Sequence, residues 1–583
     1  MILVFGGTTE GRKATEVLEE SGRTYYYSTK TGEQDVVLHN GIRIDGALDA
    51  AAMLSFCREH QIPLIVDAAH PFATQLHHTI ADIASQTAIP VVRYERIYPA
   101  LEPDITLIEN YSQIATDIHS LLATTGVQSI SKLKPLEAKG VKVFYRILPR
   151  ESSIALAHQQ GATDDQLCYY TDGDTIDTDA EAILLKESGE SGGYSTKVAA
   201  ARKKGMRIIV LKRPTLPQAS ITANGPYGLR RAVEHLLPEF YPLHSGLTTG
   251  TCATAAAVAA ATRLIKGETP AEVPVILPDG ETIQVAVAYG ADYASCTKEA
   301  GDDPDITNGI EVRASVVEDD FEILGGEGVG RITLPGFDYP PGSPAINKAP
   351  REMIKHNLEQ FGKSLKITIS VPNGAEIARR TFNPRLGIEG GISIIGVSGI
   401  VKPFSEDAFI DSIRKCMTIA KASGTDRVVI NSGGKSERYV KALYPNLPQQ
   451  AFVEYGNYIG ETLKIANQLS IPNITLGVML GKAVKLAAGH LDTHSKRATM
   501  DKEFITKMLK EAGADIDISQ ITLAREIWDK LEDKERFADV VIAHCREHCA
   551  PLLPDGNLTI LLIADDGTIL PQSQVHQQEP SQN

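Results

Sequence analysis

Across residues 1–215 the chain alternates short apolar runs with helical stretches. Apolar runs fall at 2–5, 24–28, 62–67, 91–94, 141–147, 182–185 and 207–212, and a helical stretch at 11–21 separates the first two. Parallel strands need long crossovers, usually helical, so this rhythm restricts the region to mostly parallel sheets covered by helices on both faces. Ligands in such sheets bind beyond the C-terminal ends of the strands. The residues that follow each apolar run are therefore the ones to read for chemistry.

The segment LLPEFYPLHS at 236–245 carries two prolines after a helical stretch and marks a boundary. Beyond it lie an Ala-rich helix at 253–265 and, from 273 to 369, strand-like segments broken by Gly, Pro and Asp, an α+β pattern. The βαβ rhythm returns at 427–478, helices dominate 499–550, and 558–570 reads as a hairpin around a DG turn. The Gln- and Ser-rich tail 571–583 is expected to be disordered. The expected architecture is α/β: Rossmann-like parallel sheets in the N-terminal half (1–240), then an α+β domain (244–400) and a Rossmann-like α/β domain with helices (401–570). At ~150 residues per domain, 583 residues suit such a division.

Composition removes several functions. Lys+Arg total 58 against 73 Asp+Glu, a net charge of −15, which argues against a nucleic-acid binder but allows a small anion in a locally basic pocket. Seven scattered cysteines with no CxxC fit a reducing cytoplasm. No basic n-region precedes the first apolar strand, and no apolar run reaches the ~18 residues of a membrane span. A cytoplasmic location without membrane or nucleic-acid partners is expected.

Gly6, Gly7, Thr8, Thr9, Glu10 and Gly11 join the first strand to the first helix, where glycines admit a pyrophosphate and the helix N-terminus favours an anion. A plain tight turn is the alternative. The second strand ends in Tyr27, Ser28, Thr29 and Lys30, with no acid to grip a ribose diol. Ser28 and Lys30 suit a 2′-phosphate and favour NADPH over NADH. Asp67 and His70 lie at another strand end, where His70 either contacts a ligand or caps the next helix. Lys186, Ser188 and Gly189 lie at a third, a ligand loop or merely a flexible one.

In order, GGTTEGR (6–12), VDAAHPFA (66–73), TTG (124–126), FYRILP (144–149), KESGESGG (186–193) and IIVLKRP (208–214) resemble the precorrin-6A reductase family of cobalamin biosynthesis. The resemblance implies NADPH- or NADH-dependent hydride delivery to C19 of a tetrapyrrole, with protonation of the adjacent carbon. His70, Asp67 and Lys186 are the candidate catalytic residues. Lys186, with Arg146, Ser188, Gly189 and Arg213, is a candidate for holding substrate. Ala69 departs from the Thr common in the motif.

In the second half, Thr248, Thr249 and Thr251 precede the Ala-rich helix as caps or anion ligands. The small residues of that helix invite close packing by another helix or a flat ligand. Asp302, Asp303 and Asp305 form either a turn or a hard-cation site without the spacing of a Ca²⁺ loop. His490 and His494, and the pairs at 544–545 and 548–549, lack enough ligands for zinc; no protein metal site is expected. Arg379, Arg380 and Arg385, with Lys402, form a basic cluster fit for carboxylates. Asn431, Gly433 and Gly434 turn from a strand into a helix, and Glu454, Gly456 and Asn457 end the next strand, a nucleoside-binding pattern.

GLTTGTCA (246–253), EAGDDPDITNG (299–309), GEGVGRITLPG (326–336), SPAINKAPREMI (343–354), SVPNGAEIARRTFNPRLGIEGGISIIGVSGIV (370–401) and GKAVKLAAGHLDTHS (481–495) resemble the cobalt-precorrin-5B C1-methyltransferase family, of CbiD type. The resemblance implies S-adenosylmethionine as methyl donor and a cobalt-corrin precursor as acceptor, with cobalt carried by the substrate. Thr248, Thr249, Thr251, Asp302, Asp303, His490 and His494 join the arginines as candidate substrate contacts. Other corrin-pathway enzymes are conceivable partners. The two activities are successive, so a bifunctional enzyme is expected. Alternatives are one inactive half serving as a tetrapyrrole scaffold, or a nucleotide-sugar epimerase. Intact loops in both halves oppose the scaffold, and the lack of a Tyr-x-x-x-Lys pair after the dinucleotide half opposes the epimerase.

Overall fold

Parallel strands covered on both faces are apolar along their length, and the first half of the chain folds on that pattern. Leu3–Phe5 and Tyr25–Thr29 are buried throughout. Alternate residues of these strands serve opposite faces. Ile2, Val4, Tyr25 and Tyr27 meet Leu18 and Val233 from the helices Thr9–Glu19 and Pro226–Leu236. Leu3, Phe5 and Tyr26 meet Met53 and Ile80 on the other side. The structure, a computed structural model, describes all residues except 31–35, 171–175, 177, 496 and 572–583. All of the expected disordered tail but Pro571 lies outside the described residues.

Two units are present: Met1–Leu247 with Ala271–Ala286 and Ser398–Val401, and Thr248–Pro270 with Val287–Val397 and Lys402–Asn583. The first holds two six-stranded sheets, parallel throughout. One runs Ile221–Ala223, Val91–Tyr94, Ile65–Asp67, Leu3–Phe5, Tyr25–Thr29, Gly41–Asp45. The other runs Ile105–Ile108, Arg207–Leu211, Ala182–Lys186, Ser120–Ala123, Lys142–Ile147, Leu167–Tyr169. The chain crosses to the second sheet after Tyr94 and returns before Ile221.

The second unit carries the two folds expected of it. A mixed sheet runs Ala288–Tyr289, Ala294–Thr297, Glu311–Glu318, Leu365–Ser370, Glu322–Gly325. The Ala-rich helix Thr249–Lys266 packs on the strand Glu311–Glu318 and the helix Lys348–Glu359. Its small residues thus admit a strand and a helix at close range. A second sheet runs Phe452–Glu454, Arg427–Asn431, Asn473–Met479, Asn557–Ile563, Ile569–Leu570; it is parallel except for the last pair, the expected terminal hairpin. The seven cysteines are free of disulfides. Among the described residues no helix is long and apolar enough to cross a membrane.

The hairpin Glu272–Ile276 with Thr282–Ala286 belongs to the first unit although it follows residue 244. Glu281, 1% exposed, accepts the backbone N–H groups of Tyr227 (3.1 Å) and Gly228 at the start of the helix Pro226–Leu236. The Thr282 N–H donates to Asn224 Oδ1 at 2.8 Å. Burial pushes the Glu281 carboxyl up to about 7 from an ordinary 4.5, against the pull of the two N–H donors.

Replacing the cap by alanine is expected to cost about 1–2 kcal/mol locally. In the full-length chain, E281A should speed hydrogen exchange at Tyr227 and Gly228 by roughly 5–30-fold. The folded-state pKa is raised, so the stabilisation is complete below about 4.5 and is lost as pH rises through about 7. E281Q should remove that dependence, which amounts to at most ~1.4 kcal/mol per pH unit. Parallel protection profiles for wild type and E281Q from pH 5 to 8 would contradict it.

Candidate functional sites

Both units place polar residues at the C-terminal edges of parallel strands. In the first unit Thr8 caps the first helix, accepting the Gly11 N–H (3.0 Å) and donating to the Ala68 carbonyl (2.8 Å). Gly7 has φ +88 and open space where a side chain would stand; its N–H donates to the Tyr27 hydroxyl at 3.1 Å. Burial pushes the Tyr27 phenol up while Arg43 and Arg12 pull it down, so two cations lie near this hydroxyl. Thr9 opens the helix and Lys30 is exposed, but Ser28 is buried and its carbonyl accepts the Gly6 N–H. On the adjacent third strand Asp45 Oδ1 accepts the Thr29 hydroxyl at 3.4 Å.

Glu10 was expected to touch a cofactor. Its carboxylate instead accepts Arg96 Nε at 2.8 Å and the Ser191 hydroxyl. Burial opposes its charge, yet Ser191 and Arg96 hold the carboxyl below its ordinary range. Arg96 also donates to the Ser188 carbonyl at 2.8 Å. A Cβ on Gly189 would stand 2.8 Å from Arg96 Cβ, and one on Gly192 2.8 Å from its guanidinium. Gly189 and Gly192 thus make room for an arginine of the chain itself. Breaking a pair this buried, about 5% exposed on each side, costs of order 3–5 kcal/mol.

Asp67 is buried and held by His77 Nδ1 at 2.7 Å and Arg93 at 3.4 Å. His77 Nε2 bonds the His70 carbonyl at 3.0 Å. Asp67 therefore orients its neighbours rather than reaching a ligand. His70 Nδ1 accepts the Phe72 N–H at 3.1 Å, leaving the ring proton on Nε2. Burial, then Arg96 and Lys186, push His70 down to about 3. Lys186 lies over the Phe72 ring at 4.9 Å, and burial and Lys132 lower its pKa. Buried Arg146 stacks on Tyr170 at the same sheet edge. Arg213 faces Glu95 (3.6 Å) and Glu187 (3.8 Å), so its charge is already matched.

In the second unit a cleft of about 400 Å³ is lined by Arg380, Phe382, Arg385, Gly434, Glu437 and Glu454, among others. A Cβ on Gly433, at φ +88, would stand 2.2 Å from Glu454 Oε1, so glycine is required for the turn to lie on this acid. Asn431 is fully buried and accepts the Gly433 N–H at 2.8 Å, shaping the turn from within. Burial raises the Glu454 carboxyl. Arg385 pairs with Glu437 at 3.1 Å, while Arg379 and Arg380 are exposed. Lys482 donates to the Gly456 carbonyl and to Asn457 Oδ1, and burial pushes its amine down to about 8. Gly456 and Asn457 are thereby clamped from inside the chain. The Thr493 N–H reaches the Asn457 carbonyl at 3.1 Å, which sets the 490–494 loop, with His490 and His494, against this turn.

The threonines are occupied locally. Thr248 accepts the Thr251 N–H at 3.2 Å, and Thr249 bonds the 393–395 loop. They act as a cap and loop anchors, the first of the two roles expected of them. Asp303 accepts the Phe404 N–H at 3.1 Å, and Asp305 pairs with buried Lys298; Asp302 and Lys402 are exposed. Among the described residues no group of three or more His, Cys, Asp or Glu is placed to hold a metal ion. Arg96, Asp45 and Glu437 were not singled out from the sequence. Arg96 and Asp45 share one legible signal, a place at or just after the end of a parallel strand.

Residues 1–228 match the family model described as precorrin-6x reductase CbiJ/CobK, 238–403 match CbiD, and 492–574 match the CbiD C-terminal domain. The cobalt-precorrin-5B C(1)-methyltransferase of Prosthecochloris aestuarii is 40% identical over 353 residues, 56% of this chain and 96% of that one. That of a Geobacillus strain is 41% identical over 323 residues, 52% and 88%. A solved structure described as CobK precorrin-6A reductase is 19% identical over 40% of this chain and 96% of that one, with a TM-score of 0.34.

His70 should stay neutral throughout pH 5–9. Its depressed folded value means that stability is full above the ordinary 6.5 and falls as pH drops toward about 3. Its ring carbon NMR shifts should be flat above pH 4.5; a titration near 6.5 would refute the buried environment.

Proposed function

Because the chain belongs to the cobalt-precorrin-5B C1-methyltransferase family and joins to it a CbiJ/CobK precorrin-6x reductase, we propose that it performs two successive steps of cobalamin biosynthesis. S-adenosylmethionine-dependent methylation at C1 of cobalt-precorrin-5B gives cobalt-precorrin-6A, which NAD(P)H-dependent reduction converts to cobalt-precorrin-6B. The observation that carries this is the coverage of nearly a whole methyltransferase in the same chain as a reductase match.

The residues present fit both cofactors. The 400 Å³ cleft beside Gly434 and Glu454 suits a ligand of nucleoside size, with Glu454 at the ribose. S-adenosylmethionine, when bound, supplies an electrophilic methyl group. The protein's part is to align the acceptor carbon and exclude water. Exposed Arg379 and Arg380, with Arg385, grip the acetate and propionate groups of the corrin.

In the first unit Gly7, Thr8 and Thr9 receive the pyrophosphate at the helix N-terminus, and Lys30, Arg43 and Arg12 surround the ribose end. The nicotinamide, when bound, supplies hydride. Lys186 and Arg146 take substrate carboxylates, and neutral His70 donates a hydrogen bond from Nε2. His70 is a substrate contact here, and Asp67 positions it through His77. Tetrapyrrole precursors are the partners, cobalt enters with the substrate, and the setting is a reducing cytoplasm.

A stepwise mass assay on the full chain tests this. Cobalt-precorrin-5B with S-adenosylmethionine should gain one methyl, and NADPH or NADH added next should add two hydrogens. E454Q should weaken S-adenosylmethionine binding by roughly 10–100-fold, the worth of a charged hydrogen bond, without slowing reduction of supplied cobalt-precorrin-6A. Absence of any methyl transfer would overturn the assignment.

A further inference from the structure

We propose that Arg96 is a positioning residue of the reductase. With Glu10 it fixes the loop that receives the nicotinamide cofactor against the loop at the edge of the second sheet, and so sets the distance over which hydride passes. The proposal rests on the cofactor placement at Gly7–Thr9 given above.

Arg96 follows the last strand reached before the chain crosses between sheets. It is 7% exposed. Its guanidinium bonds outward in two directions, to Glu10 on the first helix (2.8 Å) and to the Ser188 carbonyl at the second sheet's edge (2.8 Å). The other Glu10 oxygen accepts the Ser191 hydroxyl from that same second loop. The adjoining Ile97 carbonyl accepts the Glu190 N–H at 3.0 Å. Two residues from the first sheet's side thus hold the second sheet's loop, through both oxygens of one carboxylate and two donors of one arginine.

Gly189 and Gly192 admit no side chain beside this arginine, which fixes the separation of the loops sterically as well as electrostatically. A buried ion pair adds little net stability over apolar side chains of the same volume. Geometry is therefore what it contributes. Hydride transfer depends steeply on that geometry, because a misplacement of ~1 Å costs on the order of 100-fold in rate. Lysine, a point charge without the planar fork, reproduces one of the two contacts.

The experiment uses the full-length chain with E10Q, R96M and R96K. Three quantities are read: NADPH binding by nicotinamide fluorescence, single-turnover reduction of cobalt-precorrin-6A, and hydrogen exchange at 187–193 without cofactor. E10Q and R96M should slow the single turnover on the order of 100-fold, while the NADPH Kd changes by less than about threefold. Exchange at 187–193 should rise in both, R96K should recover part of the rate, and the double variant should be no slower than either single one. E10Q is nearly isosteric and decides the matter should R96M fail to fold. An E10Q protein with a single-turnover rate within about threefold of wild type overturns the proposal, as does a loss lying wholly in NADPH affinity. A wild-type chain that binds no NADPH or NADH overturns the cofactor placement, and the proposal with it.

Discussion

Parallel pairing is the constraint on which the sites in both units depend. Because every strand must be followed by a crossover, all the strands of a parallel sheet end at one edge, and each ends in a loop. Gly6–Glu10, Asp67–His70, Arg96, Arg146, Lys186–Gly189, Asn431–Gly434 and Glu454 all occupy such positions. The same geometry brings helix N-termini to that edge, which suits anionic ligands.

Charge is arranged against the average. The chain carries a net −15, yet the cations at its strand ends are the groups drawn inward. Arg96 is buried against Glu10, Lys186 lies half-buried on Phe72, and Lys482 is clamped over the turn at Gly456. Their effect is visible in His70, which burial and two neighbouring cations keep neutral. The same logic applies to Arg213, where Glu95 and Glu187 already balance the cation.

Much of the fold was legible because it rests on periodicity. The two parallel sheets of the first unit, the mixed sheet of the second and the terminal hairpin follow from apolar runs and turn residues. So did the positions of Gly7, Thr8, Gly433, Gly434 and Glu454, since each adjoins a recognisable strand. Less legible were partners distant in sequence. Nothing local shows that the glycines of 186–193 accommodate Arg96, that Asp45 stands beside Thr29, or that a hairpin at 272–286 caps a helix at 226.

The sequence by itself determined the class of architecture, the strand-end loops and, through long motifs in order, the two family resemblances joined in one chain. Apolar spacing and turn chemistry act over a few residues, so they can be read directly. Only the tertiary structure decided which polar groups remain available for chemistry. Thr249, Asp67, Glu10 and the Ser188 carbonyl each meet a partner that burial requires them to find. Those partners lie up to 181 residues away, as for Glu10 and Ser191. Pairing at such separations is set by how the sheets pack, and no local pattern encodes it.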